Sequence, residues 1–180
     1  MQTYFDILSN QIKSIDLKKL EQIIKLLNNT IKKNKFVFCC GNGGSAAISN
    51  HFEVDFIKGV NEKSKKMSRF ISLSSNTEII TAIANDRGYK YIFKDQFKVL
   101  SKKNDIILCI SSSGNSENIV EILKFGKKNK YKTILLSGFN GGRGRKLADY
   151  NLHINSNDYG IIEDSHHAIM HYIINKLMKN

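Results

Sequence analysis

The sequence predicts a doubly wound α/β fold, in which a parallel β-sheet is covered by helices on both faces. Three observations predict it. Short continuous apolar runs alternate with segments whose apolar residues recur every three or four positions. The first and third runs end in turns rich in glycine and serine, as strands do when they lead into a helix at a ligand site. The 180 residues are 41% apolar and 24% charged, which suits a globular domain rather than a disordered or fibrous chain.

Two amphipathic helices are predicted ahead of the first strand, over residues 4–15 and 17–33. Asp16 stands between them, where its carboxylate suits the N-cap of the second helix. That second helix carries its apolar residues on one face: Leu17, Leu20, Ile23, Ile24, Leu27 and Ile31. After Lys35 the helical period ends and the first continuous apolar run begins.

Five strands are predicted, over residues 36–40, 70–73, 105–110, 133–136 and 150–154. They are short and apolar, as strands buried on both faces are. The helices that follow them are predicted over residues 45–57, 76–84, 116–127, 145–147 and 162–178. No linker or repeat interrupts this order, so we expect one domain, 1–180, made of a helical pair, 1–33, and an αβα core, 35–180.

The chain carries 28 basic and 16 acidic residues, a formal net charge of +12, which favours an anionic partner. Its lysines are spread over helices and loops without a basic motif interleaved with aromatic residues, so we expect no nucleic-acid partner. No apolar stretch approaches the roughly 18 residues of a membrane span. Cys39, Cys40 and Cys109 lie in apolar runs, which suits buried, reduced thiols. We therefore expect a soluble, cytoplasmic protein with no membrane partner.

The turn at residues 41–45 reads Gly-Asn-Gly-Gly-Ser and follows the first strand. Its three glycines allow positive φ angles and a close approach of a ligand to the backbone. The helix that follows presents free N–H groups and a partial positive charge. Glycine-rich turns are also common as plain connections, so this pattern alone leaves open a ligand site and a tight turn.

The turn at residues 111–116, Ser-Ser-Ser-Gly-Asn-Ser, is more specific, because it places four serines between a buried strand and a helix N-terminus. Helix capping and turn formation need one or two such hydroxyls, whereas four of them form a neutral cradle for a phosphate group. Neither turn matches the glycine patterns of mononucleotide or dinucleotide sites. A sugar phosphate therefore fits better than a nucleotide.

Titratable residues recur at helical spacing on two of the predicted helices. His51 and Asp55 are four residues apart and share a face, whereas Glu53 points to another side of that helix. His166, on the C-terminal helix, stands beside a second polar stripe and is expected to cover it or to face a neighbouring chain. The stripe is formed by Glu163, His167 and His171. Histidine and carboxylate side chains are residue types that serve as general acids and bases.

Five motifs follow one another along the chain: Cys-Gly-Asn-Gly-Gly-Ser at 40–45, His-Phe at 51–52, Ala-Asn-Asp at 84–86, Ile-Ser-Ser-Ser-Gly-Asn-Ser at 110–116, and His171. In this order they resemble the sugar isomerase (SIS) domain family and, within it, the phosphoheptose isomerases. The resemblance runs over essentially the whole chain, including the two leading helices. It implies a three-layer αβα sandwich of flavodoxin-like type on a five-stranded parallel sheet.

The resemblance implies an aldose–ketose isomerase. Sedoheptulose 7-phosphate would become D-glycero-D-manno-heptose 7-phosphate through an enediol or enediolate, as the first step toward heptose units of lipopolysaccharide or capsule. It also implies a homotetramer with active sites between subunits. Some members of the family bind Zn²⁺ there, and no nucleotide cofactor is expected.

The resemblance also implies which residues form the site. His171 corresponds to the family's catalytic histidine and Asp55 to its catalytic carboxylate. The substrate contacts implied are Asn42, Gly43, Gly44, Ser45, Asp55, Asn85, Asp86, Ser111, Ser112, Ser113, Ser116 and Glu163. The metal ligands implied are His51, Asp55, Glu163 and His171.

Two positions depart from the family pattern, which has glutamate where this chain has Asp55 and glutamine where it has Glu163. One explanation is a compensating exchange, in which Glu163 becomes a catalytic carboxylate that transfers the proton and Asp55 a metal ligand. The other is an isomerase for a related sugar phosphate. A non-catalytic SIS protein that binds the bacterial replication initiator, or a sugar-phosphate sensor, stands as the alternative class. His51, Asp55 and His171 argue against it.

Overall fold

The computed structural model describes residues 2–64 and 67–179. In that part of the chain, five strands form one sheet in which every neighbouring pair is parallel. The strands are β1 (Phe36–Cys40), β2 (Arg69–Ser72), β3 (Ile106–Ser111), β4 (Lys132–Ser137) and β5 (Tyr150–His153). The predicted α/β class and the parallel five-stranded sheet are therefore confirmed.

The strand order is β2-β1-β3-β4-β5. The chain leaves β1 for the outer strand β2 and returns on the other side of β1 as β3. Ligands of doubly wound folds bind at such a reversal, beyond the carboxyl ends of the two strands. Cys40, the last residue of β1, pairs with Cys109 near the end of β3, so the turns that follow these strands lie side by side. The topology thus joins the glycine-rich and serine-rich turns.

Nine α-helices accompany the sheet in the described residues. They are α1 (Tyr4–Lys13), α2 (Leu17–Lys32), α3 (Gly44–Val54), α4 (Asn61–Ser64), α5 (Thr77–Arg87), α6 (Ile92–Leu100), α7 (Glu117–Lys128), α8 (Gly144–Leu147) and α9 (Tyr159–Met178). Asp16 caps α2 as expected, because its carboxylate accepts the N–H of Lys19 at 3.0 Å. The predicted helices begin and end within a few residues of their expected bounds, and two further helices, α4 and α6, were not predicted.

Two clusters of buried apolar side chains lie between the sheet and its helices, one on each face of the sheet. On one side α2, α3 and α9 pack over residues such as Val37 and Leu108. On the other side α6 and α7 pack over Phe38, Ile107 and Cys109. All six residues of β3 are buried, because this central strand has helices over both faces.

Helix α6 follows a 3₁₀ turn at Tyr89–Tyr91. Its buried residues include Ile92, Phe93 and Phe97, and the ring of Phe97 meets that of Phe38 edge to face at 5.1 Å. Helix α3 ends at Val54, earlier than predicted, and a π-helical segment, Asp55–Val60, continues it. Such wider turns within helices occur often at functional sites.

No helix in the described part of the chain is long and apolar enough to cross a membrane. Cys39, Cys40 and Cys109 are free and fully buried, as predicted. Helix α1 packs against α9, where the Tyr4 hydroxyl donates to Asp164 at 2.8 Å, yet none of its own residues is buried.

Candidate active site

A cavity of about 140 Å³ lies where the turns after β1 and β3 meet α9. Both turns lead into helices, so the cavity faces the N-termini of α3 and α7, where free N–H groups give a partial positive charge. The residues that line it are Asn42, Ser45, Ile110, Ser111, Ser112, Ser113, Ser116, Tyr159 and Glu163. Seven of these nine are residues that the sequence analysis placed in the site.

The glycine-rich turn is fixed by its own backbone and by Asn42. Gly43 has φ +53, a left-handed conformation that favours glycine, and it precedes the first residue of α3. The Asn42 side chain exchanges hydrogen bonds of 3.0 and 2.9 Å with Asn118, the second residue of α7. The Tyr89 hydroxyl donates to Asn42 Oδ1 at 2.9 Å. The two turns are therefore held to each other.

The serine-rich turn uses only some of its hydroxyl groups internally. Ser111 Oγ accepts the N–H of Gly114, and Ser113 Oγ accepts the N–H of Asn115, both at 3.2 Å. Ser116 is the N-cap residue of α7 but its side chain makes no capping bond. Ser112 is 5% exposed, and its hydroxyl has no hydrogen-bond partner in the described residues. A buried hydroxyl without a partner costs free energy, so Ser112 points to a ligand that accepts or donates there.

Glu163 lies on α9, and its carboxyl group enters the same cavity beside the first residue of α3. A Cβ atom on Gly44 would lie 2.7 Å from the Glu163 carboxyl carbon, so only glycine leaves room for this side chain. The carboxylate faces the N-terminus of α3, whose partial positive charge favours an anion. Glu163 forms no ion pair with another described residue.

A second cluster joins the same two helices further along. His51 Nδ1 lies 3.0 Å from His167 Nε2, and the His51 ring lies 5.1 Å from the His171 ring. The Asp55 carboxylate approaches both His51 Nε2, at 3.7 Å, and His171 Nδ1, at 3.5 Å. One nitrogen from each of the three histidines falls within a group that spans at most 4.8 Å. Three imidazoles that converge in this way suit a divalent transition metal.

The electrostatics of the cluster follow from this crowding. Partial burial, and then the neighbouring His51 and His171, lower the pKa of His167 below its ordinary value. A neutral imidazole is the form that binds a metal. Glu53 lies outside the cluster, as predicted. Burial raises the pKa of its carboxyl group, which also forms a hydrogen bond with the backbone of Ser72.

The structure thus divides the predicted site residues into two groups. Asn42, Ser45, the four serines of the second turn and Glu163 share the cavity, and Gly43 and Gly44 lie between Asn42 and Ser45 in the first turn without lining it. His51, Asp55 and His171 share the cluster. Glu163 lies eight residues before His171, about 12 Å along the helix axis at ~1.5 Å per residue, and it does not belong to the group of three histidines.

Two predicted substrate contacts lie elsewhere in this single chain. Asn85 and Asp86 are exposed at the end of α5 and bond to each other at 2.8 Å. Neither lines the cavity. Helix α5 buries none of its residues.

The histidine expected to cover the polar stripe does not do so. His166 is fully buried on the other side of α9, where Nε2 lies 3.3 Å from the Ser137 carbonyl oxygen. Burial lowers its pKa to about 4. His167 takes the position among the histidines instead. His167 lies four residues from both Glu163 and His171, so the sequence indicated that the three share one face of α9. The predicted set of metal ligands nevertheless left His167 out. Asn118, Tyr89 and Tyr159 were also missed, and no pattern in the sequence marks them.

Comparison with known proteins gives one consistent result. The model of the SIS domain matches residues 3–138. A phosphoheptose isomerase from Campylobacter concisus is 38% identical over 157 residues, which are 87% of this chain and 82% of that protein. Two solved phosphoheptose isomerases superpose with 25% identity each. The one from Neisseria gonorrhoeae has a TM-score of 0.87 and covers 96% of this chain and 92% of its own. The one from Francisella tularensis has a TM-score of 0.89 and covers 98% and 93%.

Proposed function

This chain belongs to the SIS domain family, with phosphoheptose isomerases as its relatives, and from this premise we propose that it interconverts sedoheptulose 7-phosphate and D-glycero-D-manno-heptose 7-phosphate. It is an isomerase that acts on a sugar phosphate. The reaction is the first step of heptose synthesis for lipopolysaccharide or capsule. A non-catalytic protein that binds the replication initiator is not favoured, because the relatives are isomerases and the chain keeps His51, Asp55 and His171 together.

The observation that carries this proposal is the buried Ser112 hydroxyl without a partner. It lies among serine hydroxyls in front of two helix N-termini, an arrangement that binds phosphate without a lysine or an arginine. The cavity therefore suits the phosphate group of the substrate at its serine end. Glu163 stands at the Gly44 end, where the sugar carbons would lie.

Isomerisation moves one proton from C1 of the ketose to C2, while a second proton passes between the oxygens of the same carbons. We assign the carbon-bound proton to Glu163, because its carboxylate lies in the cavity without an ion-pair partner among the described residues. A positioned carboxylate contributes roughly 10²- to 10⁴-fold as a general base. We assign the proton of the oxygens to His171 of a second copy of the chain, because Glu163 and His171 of one chain lie about 12 Å apart along α9 and cannot reach two bonded carbons together. Asp55 then positions the imidazoles, since it lies 3.5 to 3.7 Å from two of them.

The three histidines also fit a metal ion, and we propose Zn²⁺ held by His51, His167 and His171, with Asp55 beside them. Zinc with three imidazole ligands keeps an open coordination position. When bound, the ion would occupy the His171 nitrogen that otherwise moves the proton, and it would polarise an oxygen of the substrate instead. Zinc content measured by elemental analysis tests this: it should fall in a His167→Ala variant and remain in His153→Ala, which changes a histidine outside the cluster. Equal zinc in both variants would contradict this ligand set.

We further propose a homotetramer with active sites between subunits. Helix α1 buries none of its residues in one chain, and Phe5 on it is 78% exposed. Val54 and Ile57, on either side of Asp55, are also exposed. A second copy that covers these apolar side chains would close the cluster from water and bring further groups to the sugar. We place the enzyme in the cytoplasm, which suits its reduced cysteines.

Turnover of purified protein tests the proposed function. With a panel of ketose and aldose phosphates, sedoheptulose 7-phosphate should be converted, and unphosphorylated sedoheptulose should react at least about 100-fold more slowly per unit concentration because the cradle has nothing to bind. His171→Ala should abolish turnover and leave the oligomer intact. Wild-type protein that converts none of these sugars, with or without added zinc, would overturn the proposal.

A further inference from the structure

The amino end of the sheet, opposite the active site, gathers lysines that are separated in the sequence. They lie at the ends of α2 and α7 and in the loops before β1, β3 and β4: Lys32, Lys33, Lys35, Lys102, Lys103, Lys127, Lys128, Lys130 and Lys132. These are nine of the 28 basic residues of the chain. The fold therefore concentrates at one end a charge that the sequence spreads along its length.

A cleft of about 300 Å³ opens among them. Lys33 and Lys35 form one wall, where α2 ends and β1 begins. Lys130 and Lys132 form the other wall, at the start of β4. Asn29, Thr30 and Asn104 also line the cleft. Because β1, β3 and β4 are neighbours in the sheet, the cleft runs across the start of three strands.

The acidic groups nearby leave these lysines unpaired. Asp105, the acidic residue of the cleft, is 1% exposed, and its two oxygens accept the N–H groups of Phe36 and Lys102 at 2.9 and 2.6 Å. Asp149, on the neighbouring edge, accepts from Thr133 at 2.9 and 3.2 Å. None of the four cleft lysines forms an ion pair within residues 2–64 and 67–179.

The positive charge of the four cleft lysines exceeds the negative charge that the nearby helix ends and Asp105 supply. The carboxyl ends of α2 and α7 each contribute roughly half a negative charge, and Asp105 contributes one more. Four lysines against these leave about two positive charges. Unpaired like charges held around a cleft repel one another, and a bound anion relieves that repulsion.

We propose that this cleft is a second anion site, and that its ligand is a small molecule that carries a diphosphate or triphosphate group. Ammonium groups approach from two walls, so adjacent phosphates can be contacted from both sides. Aromatic side chains for stacking a nucleic-acid base are absent from the lining, which holds only Leu26 and Ile106 as apolar residues. The site lies about 20 Å from the isomerase cavity, the length of β3 at ~3.3 Å per residue.

Calorimetric titration of the full-length protein with inorganic tripolyphosphate at physiological ionic strength tests the proposal. The double variant Lys33→Gln/Lys130→Gln removes one charge from each wall, and we expect its dissociation constant to rise at least about tenfold. The control Lys18→Gln/Lys25→Gln removes the same charge from exposed positions of α2 outside the cleft, and its dissociation constant should change less than about twofold. Both variants should isomerise the sugar phosphate at the wild-type rate without tripolyphosphate.

Three results would overturn the proposal. The first is that wild-type protein does not bind tripolyphosphate. The second is that both double variants lose affinity equally, which would make the binding an effect of net charge alone. The third is that excess sedoheptulose 7-phosphate displaces tripolyphosphate, which would place the ligand in the serine cradle instead. The double variant Lys33→Arg/Lys130→Arg keeps both charges, and wild-type affinity for tripolyphosphate in this variant would support the proposal.

Discussion

The Glu163 carboxyl carbon lies 2.7 Å from the position that a Cβ atom would take on Gly44. This contact joins the first turn of α3 to α9 and places a carboxylate in the wall of the phosphate-sized cavity. The histidine cluster joins the same two helices beyond it. Because both groups depend on how α3 packs on α9, the geometry of one limits the other.

Gly44→Ala tests that contact. Gly44 does not have a positive φ, and alanine favours a helix over glycine by about 1 kcal/mol, so the free energy of unfolding should hold or rise. The methyl group would displace the Glu163 carboxylate, and a shift of about 1 Å can cost roughly 100-fold in kcat. Thermal unfolding and steady-state kinetics on one sample measure both effects. A Gly44→Ala variant with wild-type kcat would show that Glu163 need not occupy this position.

Glu163→Gln and Asp55→Asn separate the two carboxylates. Both substitutions preserve size and remove a base. If Glu163 transfers the carbon-bound proton, Glu163→Gln should lower kcat by about 10³-fold, within the range of a general base. Asp55→Asn should lower it less, because Asp55 acts through His51 and His171. The comparison is made by kcat on sedoheptulose 7-phosphate; the reverse order of the two losses would return the base to position 55.

Ser112→Ala tests the phosphate cradle. The Ser112 hydroxyl has no partner in the described residues, so its removal should not reduce the free energy of unfolding. A lost hydrogen bond to a charged ligand costs about 1.5–3 kcal/mol, which predicts a KM about 10- to 100-fold higher.

Ser49→Ala is the matched control for that serine. Ser49 is also buried but shares a hydrogen bond of 2.8 Å with the Ser72 hydroxyl. Its loss should reduce the free energy of unfolding by about 1 kcal/mol and leave KM unchanged. A KM in Ser112→Ala equal to that of wild type would exclude this hydroxyl from phosphate binding.

Stability should fall in mild acid because of His166. Burial lowers its folded-state pKa to about 4 from the ordinary 6.5, so between these values the unfolded chain binds a proton that the folded chain does not. The contribution is complete above pH 6.5 and decreases as the pH drops toward 4. By pH 5 the loss of stability amounts to about 2 kcal/mol.

Denaturant unfolding near pH 7.5 and pH 5, with a chelator present, measures this loss. His166→Gln retains a donor for the Ser137 carbonyl but does not titrate, so its stability should change about 2 kcal/mol less between the two pH values. An equal pH dependence in wild type and His166→Gln would assign the effect to other groups.

The architecture was predictable because its signals are local. The apolar run at Phe36–Cys40 and the serines after β3 each fix a strand, a turn and a helix start within a few residues. The side-by-side placement of the two turns required the strand order, which depends on packing across the whole sheet. Helix α6 did carry a signal, since Ile92, Phe93 and Phe97 lie on one face, but its short length obscured the helical period.

Side-chain partners were less predictable. His166 and His167 are adjacent in sequence, yet one is fully buried beside Ser137 and the other joins the histidine cluster. Only the rotation of α9 against the sheet distinguishes them. The lysines at the amino end of the sheet are likewise scattered in the sequence, and the parallel topology alone brings the starts of β1, β3 and β4 together.

Proton exchange with heavy water tests the proposed isomerisation most directly. During turnover of sedoheptulose 7-phosphate in deuterium oxide, NMR should show deuterium at C2 of the heptose product and loss of proton signal at C1 of the remaining ketose. Glu163→Gln should slow both exchanges together, because one carboxylate carries the proton between the two carbons. Product formed in heavy water, with exchange at neither carbon after repeated passage through equilibrium, would contradict a solvent-accessible carboxylate base and the enediolate that it forms.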